Sequence, residues 1–199
     1  MNYLLRLFLI FALVFIWSAI QPKDYFTWLL EVFPAILGVL VLFFTRKTFP
    51  LTRLTYWLIL LHGCILLVGG HYTYAEVPLF NWLKEVLHQT RNNYDKVGHF
   101  AQSFVPALIA REILIRKQVI YRPNWLPFLV LTICVFISVL YEFLEWLVAE
   151  LSGESADAFL GAQGYVWDTQ SDMLFATLGA ILAFITLSKL HDKQLTNFK

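Results

Sequence analysis

The sequence predicts an all-α integral membrane protein, a bundle of about six transmembrane helices with one further interfacial helix on the outer surface. Composition is the first support: 59% of the 199 residues are hydrophobic and 15% are charged, against about 45–50% and about 25% in soluble domains. The second support is that the apolar residues form long runs, and a membrane-spanning helix needs about 20 of them. We therefore expect residues 1–199 to form a single polytopic membrane domain.

Six apolar runs are candidates for the spans. The first follows a single arginine and resembles a secretory leader, but no small-residue cleavage site follows it, so we expect it to be retained. The fourth is short and ends in the charged pair Arg111 and Glu112. If it does not cross, five spans remain and the later helices are inverted. The predicted spans are residues 3–20, 26–44, 54–70, 97–114, 125–147 and 166–188.

The basic residues predict the orientation of the bundle. With six spans, eleven of the 15 Lys and Arg residues fall on the side of the two termini, and four fall on the opposite side. Lys and Arg collect in cytoplasmic loops. Both termini are therefore expected in the cytoplasm. The net charge of +1 gives no ground for a nucleic-acid partner, and membrane lipids are the expected surroundings.

Two long connections lie on the predicted outer side. Residues 71–95 carry an apolar stripe at helical spacing, which predicts a helix lying in the outer membrane interface. A helix packed on the spans is the alternative. The stripe consists of Leu79, Trp82, Leu83, Val86 and Leu87. Residues 151–165 contain three glycines and predict an irregular outer loop that could act as a lid.

Acidic and histidine residues collect at the predicted outer ends of three spans. Side chains three or four residues apart share one face of a helix. Three pairs have this spacing: Asp95 with His99, Glu142 with Glu145, and Asp168 with Asp172. The last pair is continued by the small residues Ala176, Gly179, Ala180 and Ala183, and small faces let helices approach closely in lipid. We therefore expect the three pairs to face one another inside the bundle.

Ionised carboxylates in the outer third of a membrane cost a few kcal/mol each unless they are paired or hydrated. Shared protons, Lys96, a protonated His99 or a bound cation could neutralise them. Three interpretations stay open: carboxylates that only cap helix ends, a metal-assisted or acid–base enzyme site, and a pathway for ions or small solutes. A non-catalytic partner subunit is a further alternative.

The enzymatic interpretation gives each residue a role. His99, Glu142 and Glu145 would be catalytic, and Lys96 would bind an anionic headgroup. A divalent cation, the one cofactor we consider, would be held by Asp95, His99, Glu142, Asp168 and Asp172. Because a lipid headgroup can reach the outer third of the bilayer, the expected substrate is lipid-linked or associated with the envelope.

The other histidines and the two cysteines point to no chemistry of their own. His62 lies inside the third apolar run and is expected to be a hydrogen-bonded interior histidine. His88 and His191 lie in polar stretches and are expected to be solvated. Cys64 and Cys134 have no metal-binding spacing and are expected to be single buried thiols.

Three segments resemble a known family of uncharacterised bacterial inner-membrane proteins, the YjdF-like family. They are DKVGHF at 95–100, YEFLEW at 141–146 and VWDTQSDMLFATLGA at 166–180, and the resemblance extends over residues 20–188. It implies a location in the bacterial inner membrane and no defined reaction.

The same segments are more distantly similar to VanZ-like proteins, which are linked to glycopeptide resistance at the cell envelope. The VanZ pattern has a D-K-x-x-H-F start, an E-x-x-Q helix and a D-x-x-x-N-x-x-G helix. Here Glu145 stands where Gln is usual and Ala176 replaces the Asn. The resemblance therefore implies a more acidic pocket than the VanZ pattern has.

Overall fold

The computed structural model describes residues 3–152, 157–160 and 162–198, and within these ranges the chain is helical without strands. A short 3₁₀ turn at Pro123–Trp125 precedes the sixth helix, and another at Thr196–Phe198 follows the eighth. The α-helices are α1 (Tyr3–Ala19), α2 (Tyr25–Thr45), α3 (Arg53–His71), α4 (Pro78–Val86), α5 (Tyr94–Arg116), α6 (Leu126–Ser152), α7 (Asp157–Leu160) and α8 (Asp168–Leu195).

Four helices of the described residues are long and apolar enough to cross a membrane: α2, α3, α6 and α8. Helix α1 is apolar but has 17 residues, and α5 has 23 residues with charges near both ends. The six predicted spans coincide with α1, α2, α3, α5, α6 and α8. Helix α8 continues to Leu195, seven residues beyond its predicted end, because its polar last turns pack on α5. Whether α1 and α5 also cross stays a prediction.

Helix α5 is the centre of the bundle and packs against α3, α6 and α8. Its closest neighbour is α8, where Ala176, Ala180 and Ala183 are at most 2% exposed. A methyl group added at Gly179 would collide with the backbone carbonyl of Phe100 on α5. The predicted small face of the last span is therefore confirmed as the surface that brings these two helices together.

The close approach of α5 and α8 makes Gly179 sensitive to substitution. Gly179→Ala is expected to lower the free energy of unfolding by about 1–3 kcal/mol, because the helices must move apart. Thermal unfolding in mild detergent measures this. Gly38→Ala on α2 is the matched control, since an added methyl group there meets no atom within 4 Å. Equal melting temperatures for the two variants would contradict the packing described here.

A buried polar network joins α3, α5 and α8 at the end of the bundle where α5 finishes. The Glu112 carboxylate accepts hydrogen bonds from the Thr52 amide at 3.0 Å and the Thr55 hydroxyl at 3.0 Å. Its oxygens also lie 2.7 Å from Arg116 Nη1 and 3.2 Å from His191 Nε2. Glu112 and His191 are both fully buried. The expectation that His191 is solvated was wrong, because the extension of α8 turns this ring towards Glu112.

Helix α4 lies outside the bundle, and none of its residues is buried. Leu79, Trp82 and Val86 are each more than half exposed, as is Leu87 just beyond the helix, whereas Leu83 is partly covered. The predicted apolar stripe is therefore present and mostly uncovered. Of the predicted loop at 151–165, Gly153 and Gly161 lie outside the described residues. The remainder contains α7 and a turn at Gly164, whose φ is +80°.

Candidate acidic site

The predicted acidic, basic and histidine side chains come together where α5 and α8 begin and α6 ends. We call this region the acidic end of the bundle. All seven predicted residues are less than a tenth exposed. They are Asp95, Lys96, His99, Glu142, Glu145, Asp168 and Asp172.

One part of the site is a set of ion pairs around Lys96. The Lys96 ammonium lies 2.5 Å from Asp172 Oδ1, 2.6 Å from Asp168 Oδ1 and 3.3 Å from Asp95 Oδ2. Arg91 Nη1 lies 2.5 Å from Asp168 Oδ1, and Arg91 Nη2 lies 3.5 Å from Asp95 Oδ2. Lys96 and Arg91 thus pair with three aspartates. Arg91 was not singled out from the sequence, although it stands four residues before Asp95, a spacing that favours a pair.

His99 joins this set to the two glutamates of α6. Its Nε2 lies 3.3 Å from Asp95 Oδ1 and 3.8 Å from Asp172 Oδ1. Its Nδ1 lies 3.0 Å from Gln102 Oε1 and 3.7 Å from Glu142 Oε1. That oxygen of Glu142 is buried and has no hydrogen-bond partner in the described structure. An imidazole that faces carboxylates through both nitrogens can act as a proton carrier or a metal ligand.

Glu145 is 9% exposed and has no ion pair within 4 Å among the described residues. Among the described residues, Glu142 forms an ion pair only with His99. The two glutamates are therefore less neutralised than the three aspartates, although both groups are equally buried. A buried carboxylate without a partner is costly, so this half of the site favours a proton or a cation.

A cavity of about 180 Å³ extends from the acidic end into the bundle. Along α5 it runs from Asp95 to Pro106, eleven residues or about 16 Å of helix. Its walls are mostly apolar, with polar groups at intervals. They include Glu31, Pro34, His62, Leu66, Tyr74, Asp95, His99, Gln102, Pro106, Ile137, Tyr141 and Glu145.

Two polar groups in this cavity differ from what the sequence indicated: Glu31 was not singled out, and His62 was expected to be hydrogen-bonded. Glu31 of α2 is 5% exposed and accepts a long hydrogen bond, 3.4 Å, from the Tyr141 hydroxyl. It is the one acidic residue inside the apolar run 26–44, and such residues within spans mark sites. His62 does face the interior as expected, but its Nε2 has no hydrogen-bond partner in the described structure, so that part of the expectation was wrong.

A larger, more open groove lies on the other side of the ion pairs. It encloses about 780 Å³ between the segment before α5 and the start of α8. Arg91 and Lys96 line it, and both face the ring of Tyr165, at 5.4 and 5.9 Å from its centre. Phe80, Phe100 and Phe175 supply apolar walls. The groove therefore combines basic and aromatic groups, whereas the cavity is acidic.

Among the described residues, two sets of three side chains are close enough to share one metal ion, with ligand atoms within 4.8 Å of one another. They are Asp95, His99 and Asp172, and His99, Glu142 and Glu145. In the first set both aspartates already contact Lys96, whereas neither glutamate of the second forms an ion pair with a described lysine or arginine. Asp168 falls in neither set and pairs with Arg91 and Lys96 instead. The second set is the better candidate.

Comparisons with known proteins agree that the chain is a membrane protein. Residues 3–193 match the family model described as "Predicted membrane protein (DUF2238)". The chain is 48% identical over 187 residues to "Inner membrane protein YjdF" of Escherichia coli K12, which covers 94% of this chain and 90% of that protein. No solved structure matches. The YjdF-like resemblance is thereby confirmed, and the more distant VanZ-like resemblance stays an expectation. The chain belongs to the DUF2238 family of membrane proteins.

Proposed function

We propose that this inner-membrane protein binds a divalent cation through His99, Glu142 and Glu145 and acts on a lipid-linked or envelope substrate at that site. One observation carries the proposal: two buried glutamates converge on one histidine, and no described lysine or arginine neutralises them. Carboxylate oxygens with one imidazole nitrogen suit Mn²⁺, Zn²⁺ or Fe²⁺.

The remaining residues of the site would support this centre. Asp95 faces His99 Nε2 at 3.3 Å and can fix the orientation and tautomer of the ring, as carboxylates do for metal-binding histidines. Asp172 and Asp168 would hold Lys96 in place rather than bind the ion. A bound cation would polarise a carbonyl or phosphoryl oxygen or activate a water.

The groove beside the ion pairs is the proposed entrance for the substrate. Its aromatic walls suit a lipid or a lipid-linked group, and an anionic headgroup there would meet Lys96 and Arg91. This is the substrate-binding role that the sequence predicts for Lys96. The uncovered apolar face of α4, which contributes Phe80 to the groove, would lie in the membrane interface beside this entrance.

The proposed topology has six spans, with both termini in the cytoplasm and the acidic end facing outwards. Helices α1 and α5 would be about 26 and 35 Å long, against a hydrocarbon core of about 30 Å. The charged residues Arg111 and Glu112, which argue against a crossing α5, are both buried and paired. Arg111 lies 2.6 Å from the exposed carboxylate of Asp192, and Glu112 lies 2.7 Å from Arg116. The excess of Lys and Arg on one side supports the orientation.

The topology predicts opposite labelling of the two segments that flank α5. Gln89→Cys should react with a membrane-impermeant maleimide in intact spheroplasts, and Lys117→Cys only after permeabilisation, because both positions are exposed and stand on opposite sides. The unmodified chain, with its partly buried Cys64 and buried Cys134, is the blank. Labelling of both positions from the same side would exclude a crossing α5.

A titration with Mn²⁺, followed by the loss of the free-ion electron paramagnetic resonance signal, tests the cation site. The purified wild type should bind about one ion per chain. The variant Glu142→Gln/Glu145→Gln should bind at least about 100-fold more weakly, because each substitution removes a ligand charge. Glu150→Gln, on the same helix but exposed, should bind as the wild type does. Equal binding by the two variants would contradict the proposal.

Transport is a second candidate, favoured by the depth of the cavity, which reaches His62 and Pro106. Below that level the described side chains are apolar, with Leu108, Val130 and Cys134 at most 1% exposed. The cavity therefore ends in packed core rather than at the Glu112 network. We expect no Mn²⁺ or proton flux in proteoliposomes. A flux that Asp172→Asn abolishes would favour transport instead.

A further inference from the structure

We propose that the cavity behind His99 binds the ammonium group of an organic amine, so that the substrate is an amine-bearing molecule such as a lipid with an amino headgroup. This inference deepens the proposed function and rests on it for the acidic site. It concerns the part of that site that faces the cavity. Glu31 and Glu145 line the cavity, whereas Glu142 does not.

The charge balance of the cavity is the first argument. Of the three carboxyl groups that line it, Asp95 is served by Arg91, Lys96 and His99. Glu31 receives only the long hydrogen bond from Tyr141 among the described residues, and Glu145 receives no ion pair there. An ammonium group inside the cavity would compensate Glu31, which is 5% exposed and belongs to neither set of metal-binding residues.

The size and walls of the cavity distinguish an organic cation from a metal ion. Its 180 Å³ correspond to about six water molecules at about 30 Å³ each, far more than one ion needs. Pro34, Leu66, Pro106 and Ile137 line most of its length and offer no hydrogen bonds to the water shell of an ion. A short carbon chain would fill this apolar part while its ammonium group meets the carboxylates.

The cavity wall offers acceptors to a primary ammonium group. Such a group has three N–H donors and no acceptor. Glu31 and Glu145 supply carboxylate oxygens on this wall, and His62, which lines the same cavity, has a buried Nε2 without a hydrogen-bond partner among the described residues. The rings of Tyr74 and Tyr141, in the same walls, attract cations through their faces.

Butylammonium chloride tests this inference, with butanol as the neutral analogue of the same length. The full-length protein in detergent is titrated with each compound by calorimetry. We expect butylammonium to bind at least about 10-fold more tightly than butanol. Glu31→Gln should lose at least about 10-fold in butylammonium affinity, and Glu150→Gln, an exposed glutamate of α6, should lose none. Because the wild-type comparison needs no variant, poor folding of Glu31→Gln would leave the test intact.

A parallel Mn²⁺ titration separates this inference from the proposed function. Mn²⁺ binding without any preference for butylammonium over butanol would overturn the ammonium site and leave the metal site standing. A butylammonium preference without Mn²⁺ binding would support the ammonium site and overturn the metal. Absence of both would overturn both.

The source of the amine is distinguished in lipid nanodiscs. If a lipid headgroup occupies the cavity, phosphatidylethanolamine will compete and lower the apparent affinity for butylammonium relative to phosphatidylglycerol alone. If the affinity is the same in both, the cavity takes a free amine. Equal binding of butylammonium and butanol in both kinds of nanodisc would again overturn the inference.

Discussion

Replacing Glu112 by alanine is expected to destabilise the protein by about 3–5 kcal/mol, the largest single effect that the structure predicts. The substitution removes the acceptor for the Thr52 amide, the Thr55 hydroxyl and the Arg116 guanidinium, and it leaves His191 buried. A buried polar group that loses its hydrogen-bond partner keeps the full free-energy cost of its removal from water. Thermal and denaturant unfolding in mild detergent measure the loss.

Two comparisons make the Glu112 result specific. Glu85→Ala removes an exposed acid from α4 and should change the free energy of unfolding by less than about 0.5 kcal/mol. Glu112→Gln keeps the size of the side chain and one acceptor oxygen, so its loss should be smaller than that of the alanine variant. A Glu112→Ala protein as stable as Glu85→Ala would show that the network does not hold α3, α5 and α8 together.

Replacing Lys96 by methionine should have the second-largest effect, also about 3–5 kcal/mol, because three buried aspartates would keep only Arg91 as a permanent counter-charge. Asp172 lies closest to the Lys96 ammonium, at 2.5 Å, and is 2% exposed. Neutralising it should therefore recover part of the loss. We expect Lys96→Met/Asp172→Asn to be more stable than Lys96→Met alone.

A double-mutant cycle on Lys96 and Asp172 quantifies this coupling. The interaction free energy from the four unfolding experiments should be at least about 1 kcal/mol in favour of the pair. Additive effects, with the double variant as unstable as the sum of the single variants, would contradict the ion-pair arrangement. The ion pair between Lys23 and Glu76, whose side chains are both more than half exposed, should give a smaller interaction free energy in the same kind of cycle.

The helices could be predicted well because the period and length of apolar runs are local properties of the sequence. The first span was expected at residues 3–20 and α1 is Tyr3–Ala19, and the third was expected at 54–70 and α3 is Arg53–His71. The convergence of the three acidic pairs could also be anticipated, since each pair shares a helix face and the small face of α8 had to pack inwards.

Contacts between distant segments could not be predicted in the same way. Tyr74 shows why: it follows α3 with a φ of +53°, and its ring lies against Gly69 of α3 and Gly98 of α5. Any side chain at these glycines would overlap that ring, so the two glycines leave the space that the ring occupies. Nothing in the sequence indicates which residue occupies this space. His191 was likewise assigned from its polar local surroundings, and Glu31 was not singled out at all. The burial of both depends on helices far along the chain.

The acidic end differs physically from the Glu112 end, although both bury charges. At the Glu112 end both oxygens of the central carboxylate have donors, and this favours a structural role for Glu112. At the acidic end Glu142 Oε1 has no hydrogen-bond partner among the described residues, and a cavity adjoins the cluster. An incomplete buried network beside a cavity favours a site that a ligand completes.

Elemental analysis of the protein purified from native membranes in mild detergent tests the cation site most directly. The measurement compares the wild type with Glu142→Gln/Glu145→Gln, with Glu150→Gln as the control for purification. We expect about one divalent metal ion per chain in the wild type and the control, and almost none in the double variant. The same metal content in all three proteins, or a metal-free wild type that Mn²⁺ does not fill, would contradict it.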